Sequence, residues 1–210
     1  MIEPKKCIKI LGFMLQDDLK TDREINKISS QLHNRINNIR SLTKYTTFST
    51  RLKFLNAYVI GKLNYMVPMY SIADLVNLNK LHKIITTAGR AAIGSYCHKK
   101  SIKYILNKCK WLDIQNLIYY SSISLIHKTL INNTPFNIVN LFRDIKNRRI
   151  TQDITTKYIP KTVKFSKFFI YKYIKEYNLL DKYIKEKSIN QFKKELKTIL
   201  MYRPISDTHD

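Results

Sequence analysis

Glycine and proline, the residues that most often interrupt regular structure, are scarce in this sequence. Four glycines and five prolines are spread over 210 residues. A sheet-rich fold needs many tight turns and long helices need few, so this scarcity favours a mainly helical chain. Hydrophobic residues make up 44% of the sequence, which is enough apolar surface for a core and argues against global disorder.

Three consecutive segments carry apolar residues at intervals of three and four, as one face of an amphipathic helix does. Thr21 and Glu24 fit a capping box before the first stripe. That stripe consists of Ile25, Ile28, Leu32, Ile36, Ile39 and Leu42. The second stripe consists of Leu52, Leu55, Val59, Leu63 and Met66, and Pro68 ends it. The third begins at Asp74, ends at Gly94 and consists of Leu75, Leu78, Leu81, Ile85, Ala88 and Ala92. Short connections between such helices predict an antiparallel bundle.

The remaining segments complete the predicted architecture. Residues 7–15 are predicted as one or two short strands without a visible partner, and further helices follow Ser101 and Asp113. Ser188 and Gln191 fit a second capping box before a terminal helix. We therefore predict a mainly α fold: an antiparallel helical bundle with a short N-terminal β segment and a basic C-terminal helical segment. The predicted divisions are 1–17, 18–146 and 147–210.

Charge is the strongest functional signal in the composition. The sequence has 38 Lys and Arg residues against 15 Asp and Glu residues, a formal net charge of +23. In a compact chain with this net charge the positive side chains repel one another unless a polyanion lies nearby. Nucleic acid is the first candidate and an anionic membrane surface the second. A compositional bias toward Lys, Asn, Ile and Tyr is a third explanation.

Basic and aromatic residues alternate in one C-terminal stretch. Between Arg143 and Lys175 there are ten basic and two acidic residues, which gives 10 − 2 = +8. The aromatic residues among them are Phe165, Phe168, Phe169, Tyr171 and Tyr173. Lysines can neutralise phosphates while aromatic rings stack on bases. The alternative is a helix that buries its aromatic residues and exposes its lysines to water.

No combination of residues predicts catalysis or a cofactor. Asp17 and Asp18 are adjacent, but only Glu3 precedes them, so we expect a surface turn rather than a Mg²⁺ site. Cys97, His98 and Cys109 do not form the two close pairs of ligands that structural zinc uses. We expect no metal, no cofactor and no small-molecule substrate.

The cysteines and the hydropathy pattern predict an intracellular chain, nuclear or cytoplasmic. Three cysteines are too few and too sparse for a secreted disulfide framework. No apolar run approaches the length of a membrane span, so no membrane partner is predicted.

The order of several short segments resembles the reverse transcriptases of non-LTR (LINE-type, jockey-like) retrotransposons. Residues 9–17, KILGFMLQD, are similar to the family's K-Y-L-G-V-x-L-D segment. Leu63-Asn64-Tyr65 is similar to L-D-Y-G, and residues 78–94 are similar to its L-x-x-L-Q-x-x-x-N-x-A-L-R-x-I-x-G helix. Residues 177–180, YNLL, resemble W-N-x-L-P, and residues 188–197, SINQFKKELK, resemble S-x-x-x-F-K-x-x-L-K.

Departures from that pattern indicate a diverged or decayed copy. Ile10 replaces the usual Tyr, Asn64 the Asp, Met66 the Gly and Tyr177 the Trp, and the proline after Leu179 is absent.

The resemblance implies a fragment of an RNA-directed DNA polymerase that comprises the end of the palm, the thumb and the C-terminal region. It implies that the catalytic aspartates lie upstream, that this chain does not catalyse alone, and that a palm-containing polymerase chain is a partner. Leu11 and Gly12 would correspond to the primer grip. The other implied partner is RNA or an RNA–DNA duplex, bound independently of sequence.

Two groups of basic residues are candidates for that contact. One group lies at the end of the first helix and consists of Arg35, Arg40 and Lys44. The other consists of Arg148, Arg149, Lys161, Lys164 and Lys167. The second group is favoured, because its charge density is higher and aromatic residues lie beside it. The alternatives are a domesticated basic protein-interaction module and a non-functional translated remnant.

Overall fold

The computed structural model describes residues 7–10, 13–94, 100–142 and 153–202. These residues are mainly helical and include a small antiparallel sheet of two strands, which confirms the predicted fold class. They divide into two units, a first unit that ends at Gln115 and a second that begins at Asn116. The predicted divisions at residues 17 and 146 stay predictions.

The short strands at the N-terminus are partners of each other. β1 (Cys7–Ile10) pairs with β2 (Phe13–Gln16) in a hairpin, with Cys7 opposite Gln16. The expectation of a strand without a partner was wrong, because the two strands pair with each other. A lone hairpin is marginal in water, and here Phe13 is buried, with its ring centroid 6.3 Å from that of Tyr70.

The first predicted capping box does not form. Thr21 precedes α1 (Asp22–Ser41), but its side chain makes no capping hydrogen bond. Glu24 is buried, and its Oε2 accepts a hydrogen bond from the backbone N–H of Met14 at 2.9 Å. The carboxylate thus binds the hairpin instead of its own helix. This contact depends on tertiary packing and not on the local sequence.

Three helical segments make the bundle of the first unit. α1 and α4 (Leu75–Ile93) run in the same direction, because Asn77 near the start of α4 donates to Asp22 at the start of α1 over 2.5 Å. The chain between them runs back along α1, so consecutive helices are antiparallel as predicted. Most residues of the predicted stripes are buried. Leu52, Met66 and Leu78 are half-buried, and Leu42 and Leu75 are 45% and 52% exposed.

The helical segment that leads from the end of α1 back to the start of α4, which we call the returning helix, changes its pitch halfway. α2 (Phe48–Leu55) continues through a π-helical turn (Asn56–Ile60) into α3 (Gly61–Asn64), and a 3₁₀ turn (Val67–Ile72) follows. Its fully buried apolar residues recur every four positions, at Leu55, Val59 and Leu63. In an α-helix, each step of four overshoots one turn by about 40°. The wider π turn cancels part of that drift and keeps the stripe against the core.

That change of pitch alters which residues are buried. Arg51 and Val67 are buried, whereas Leu52 and Met66, which the sequence places in the stripe, are only half-buried.

α5 (Ile102–Cys109) packs closely against α4. α5 follows Ser101 as predicted, and Ser101 caps it, since its Oγ accepts from the N–H of Tyr104. A Cβ added at Gly89 would overlap Cγ2 of Ile105. The glycine is therefore required for the approach of the two helices.

The second unit contains most of α6 (Ile114–Asn132) and five shorter helices. These are α7 (Phe136–Val139), α8 (Val163–Ser166), α9 (Phe169–Asn178), α10 (Lys182–Lys185) and α11 (Ile189–Tyr202). The second capping box forms in part: the N–H of Gln191 donates to Ser188 Oγ over 3.5 Å, and that hydroxyl donates to Gln191 Oε1.

Candidate nucleic-acid interface

Acidic residues are nearly absent from the bundle region. Residues 25–113 contain fifteen Lys and Arg residues and two acidic residues, Asp74 and Asp113. Asp74 caps α4, because its Oδ1 accepts from the N–H of Asn77 at 2.8 Å. Asp113 is buried at the start of α6. One carboxylate therefore caps a helix and the other is buried, so the exposed cations of this region have few exposed anions within it to neutralise them.

Charged side chains in the first unit are distributed unevenly along α1. Asp17, Asp18 and Asp22 lie at the N-terminal end of the helix, whereas Arg40 and Lys44 lie at or just beyond its C-terminal end. With a rise of about 1.5 Å per residue, these two ends are about 28 Å apart. That distance exceeds the Debye length of about 8 Å at physiological ionic strength. The two ends therefore present separate fields to a charged partner.

The turn that carries Lys44 is fixed by a buried arginine. Arg51 is 7% exposed, and its Nε donates to the carbonyl of Ala92 at 2.8 Å. Its Nη1 donates to the carbonyls of Thr43, at 3.1 Å, and Thr46. The guanidinium satisfies one carbonyl at the end of α4, which the helix leaves open, and two carbonyls of the turn that follows α1. Arg51 is therefore a structural residue that positions the exposed Lys44.

Replacing Arg51 with methionine should destabilise the first unit by about 3 kcal/mol. Methionine keeps the aliphatic volume but leaves three carbonyls without donors, and each unsatisfied buried group costs roughly 1–3 kcal/mol. Urea denaturation followed by circular dichroism measures the loss. Lys53→Met is the matched control, since Lys53 is exposed two residues away and surface changes usually stay within about 0.5 kcal/mol. Equal urea midpoints for Arg51→Met and Lys53→Met would show that Arg51 does not anchor the turn.

The predicted cationic residues of the first unit are all exposed. Arg40 and Lys44 make no side-chain hydrogen bond or ion pair with the residues that the structure describes. Arg35 is also exposed, and its Nη1 donates to the carbonyl of Tyr58 in the π turn at 2.8 Å. Its other N–H donors point away from that bond, so the guanidinium can also contact a phosphate.

The predicted C-terminal group is only partly within the described residues. Lys161 and Lys167 are exposed. Arg148, Arg149 and the side chain of Lys164 lie outside the described residues. The role of this group in binding stays a prediction.

The aromatic residues beside that group divide between core and surface. Phe169 and Tyr173 are each 6% exposed, and burial raises the pKa of the Tyr173 hydroxyl. Phe165 is 43% exposed, with its ring centroid 6.1 Å from that of Phe168 and the planes within 7°. For Phe169 and Tyr173, the alternative of a buried aromatic face was therefore correct.

Most of the other candidate residues lie either in an exposed turn or outside the described residues. Asp17 and Asp18 lie in an exposed turn, as predicted, where Asp18 pairs with Lys20 at 3.4 Å. Among the residues that the structure describes, no group of three or more His, Cys, Asp or Glu side chains could hold a metal ion. The primer-grip-like residues Leu11 and Gly12, and the pair Cys97 and His98, lie outside those residues.

His127 is part of the core of the second unit. Its Nε2 donates to the carbonyl of Lys187 at 3.1 Å, so in the neutral ring Nδ1 accepts from the Tyr177 hydroxyl at 3.0 Å. The ring stacks on Phe192 with centroids 3.8 Å apart. Burial lowers the pKa of His127, which favours this neutral form. Tyr177 and Phe192 belong to the two C-terminal motifs of the resemblance, and both have packing roles.

Asn178 holds an extended segment of the second unit in place. Its side-chain oxygen accepts from the N–H of Ile154 at 2.9 Å, and its amide donates to the carbonyl of Ile154 at 3.0 Å. This two-way bond imitates one rung of a β-ladder. The sequence pattern does not predict it, because the two residues are far apart in the chain.

No family model, no curated protein and no solved structure matches this chain. Within the described residues, none of the helices is both long and apolar enough to cross a membrane.

Proposed function

We propose that this chain binds nucleic acid through the sugar–phosphate backbone, with little dependence on base sequence. One observation carries the proposal: exposed cations of the first unit, among them Arg40, Lys44 and Lys53, lie in a region with only two carboxylates, of which one caps α4 and the other is buried. Phosphates would supply the missing anions, and contacts of this kind position a duplex without reading its bases.

The packing of α1 supports nucleic acid over a lipid surface. A helix that lies on a membrane inserts an apolar face between the lipid headgroups. The apolar stripe of α1 is already buried, with Leu32 and Ile36 fully inaccessible. The exposed face of this helix therefore offers charge but no apolar surface for insertion.

The resemblance to reverse transcriptases of non-LTR retrotransposons gives this proposal a more specific form. In that form, the chain holds an RNA or RNA–DNA template–primer duplex behind an active site that a palm-containing polymerase chain supplies. A β-hairpin followed by a helical bundle is compatible with the end of a palm and a thumb. No catalysis by this chain alone is proposed.

Exposed apolar residues favour a second candidate function. Leu75 is 52% exposed and Val76 is 65% exposed at the start of α4. Adjacent apolar side chains in water often belong to a protein interface. A domesticated protein-interaction module is therefore the alternative to nucleic-acid binding.

The dependence of affinity on salt tests the proposal. If about five phosphates are neutralised, log K should fall against log salt with a slope of roughly −4 to −5 on a B-form duplex. Fluorescence anisotropy with two duplexes of unrelated sequence measures both the slope and the sequence dependence. Equal slopes and affinities on both duplexes are expected. Affinity that does not change with salt would support the protein-interaction module instead.

A further inference from the structure

Two aromatic side chains lie on the outer face of the returning helix of the first unit. Phe54 is 41% exposed and Tyr58 is 54% exposed. Their rings are nearly parallel, with centroids 6.3 Å apart and planes within 18°. Rings of this size normally contribute to a core, so an exposed, ordered pair is a candidate contact surface. We call these two residues the aromatic pair.

The helix geometry explains why the pair faces outward. Phe54 and Tyr58 each precede a fully buried residue, Leu55 and Val59 respectively. They are four positions apart and so lie on one face. Gly61, one turn further along, has no side chain to cover Tyr58. The same π turn that keeps the apolar stripe inward thus keeps the aromatic pair outward.

Arg35 lies at the aromatic pair, other cations are near it in sequence, and acidic residues are absent from its stretch of chain. Arg35 is held at the π turn by its 2.8 Å bond to the Tyr58 carbonyl. Lys53 is exposed next to Phe54 in sequence, and Lys62 lies 5.8 Å from the ring centroid of Tyr65. Residues 25–73 contain seven Lys and Arg residues and no Asp or Glu.

We propose that the aromatic pair binds unpaired nucleotides of a single-stranded nucleic acid, whose bases stack on the rings of Phe54 and Tyr58. Arg35 and Lys53 bind the phosphates on either side. Aromatic rings with neighbouring cations are the usual means of holding single strands. A duplex would not use the rings, because its base faces are already stacked inside the helix.

The charge around the pair favours a nucleic acid over a protein. Residues 25–73 offer no carboxylate to Arg35 and Lys53, so a partner that buries these cations must supply the anions, since buried unpaired charge is costly. Each nucleotide of a single strand brings a phosphate beside its base, whereas a protein would need acidic side chains at matching positions. The inference rests on the proposed function for its premise of a nucleic-acid partner and for the cations Arg35 and Lys53. It differs in the aromatic pair and in the form of the ligand, which is a single strand rather than a duplex.

The double substitution Phe54→Leu with Tyr58→Leu tests this inference on the full chain. Leucine keeps an apolar side chain but removes the ring. We expect affinity for a labelled oligothymidylate to fall about tenfold or more, with the salt slope unchanged because stacking releases no counterions. Affinity for a duplex of the same length should stay the same. Anisotropy measures all three quantities, and circular dichroism verifies the fold.

Two further variants control for the ring and for the position. Tyr58→Phe keeps the ring and should bind the single strand as the parent chain does. Tyr104→Leu removes a ring of similar exposure, 44%, that lies next to Lys100 in the same unit, and it should have little effect. An equal loss from Tyr104→Leu and from the double variant would overturn the inference. The inference would also be overturned if the double variant kept its affinity for the single strand but changed its oligomeric state in light scattering. That result would assign the aromatic pair to a protein contact.

The outcomes separate this inference from the proposed function. Single-strand affinity that does not depend on the aromatic pair, together with salt-dependent duplex binding, contradicts the inference alone. Single-strand binding that depends on the aromatic pair, without any duplex binding, contradicts the proposed duplex contact alone.

Discussion

Leu81→Asp is expected to unfold the first unit. Leu81 is fully buried in the middle of α4. An unpaired carboxylate at that position costs several kcal/mol, which is a large part of the roughly 5–15 kcal/mol that stabilises a typical domain. Leu32→Asp, at a fully buried position of α1, should have the same effect. Thermal melting followed by circular dichroism measures the loss of helix.

Two matched substitutions test whether the loss of stability depends on the burial of a residue or only on its place in an apolar stripe of the sequence. Leu75 and Leu42 belong to the same sequence stripes as Leu81 and Leu32, yet they are 52% and 45% exposed. Leu75→Asp and Leu42→Asp should therefore leave the unit folded. At Leu75 the carboxylate also lies in the first turn of α4, where the helix dipole favours negative charge. If all four variants melt alike, the packing described for the bundle is wrong.

Reversing Arg40 and Lys44 together to glutamate should weaken duplex binding by about two orders of magnitude near 0.1 M salt. Removing two phosphate contacts lowers log K by roughly 0.9 for each of them at that salt concentration. Repulsion between the new carboxylates and the phosphates weakens binding further. The salt slope should also become flatter by about two units. Anisotropy titrations at several salt concentrations give both quantities.

An equal change of charge at the other end of α1 separates a local contact from the effect of net charge. Lys20→Glu with Arg23→Glu alters the net charge by the same amount, about 28 Å away, beside Asp17 and Asp18. This control should bind almost as the parent chain does. Equal weakening by both double variants would show that only the overall charge matters and that the end of α1 is not the contact.

The other predicted group can be compared in the same assay. Charge reversal at Arg148, Arg149 and Lys164 should weaken binding to every sequence alike and flatten the slope by about one unit for each phosphate that is no longer bound. A larger effect there than at Arg40 and Lys44 would assign the main contact to the C-terminal segment.

The sequence alone determined where most helices of the first unit lie. Amphipathic periodicity predicts α1 and α4, because burial of one face is the main source of helix stability in a folded chain. Local capping at Asp74 and Ser101 was also predictable, since such bonds join residues three positions apart. The high positive charge is likewise a property of the sequence and needs no structure.

Only the tertiary structure decided which cations are exposed and which aromatic residues lie in the core. Arg51 resembles any other basic residue of the chain, but its three carbonyl partners lie on two segments that folding brings together. Glu24 binds the hairpin rather than its own helix for the same reason. The π turn arises because the apolar residues recur every four positions and the core holds them on one face. That constraint depends on packing between helices and not on local preference. As a result, Phe54 and Tyr58 are exposed to water beside Arg35.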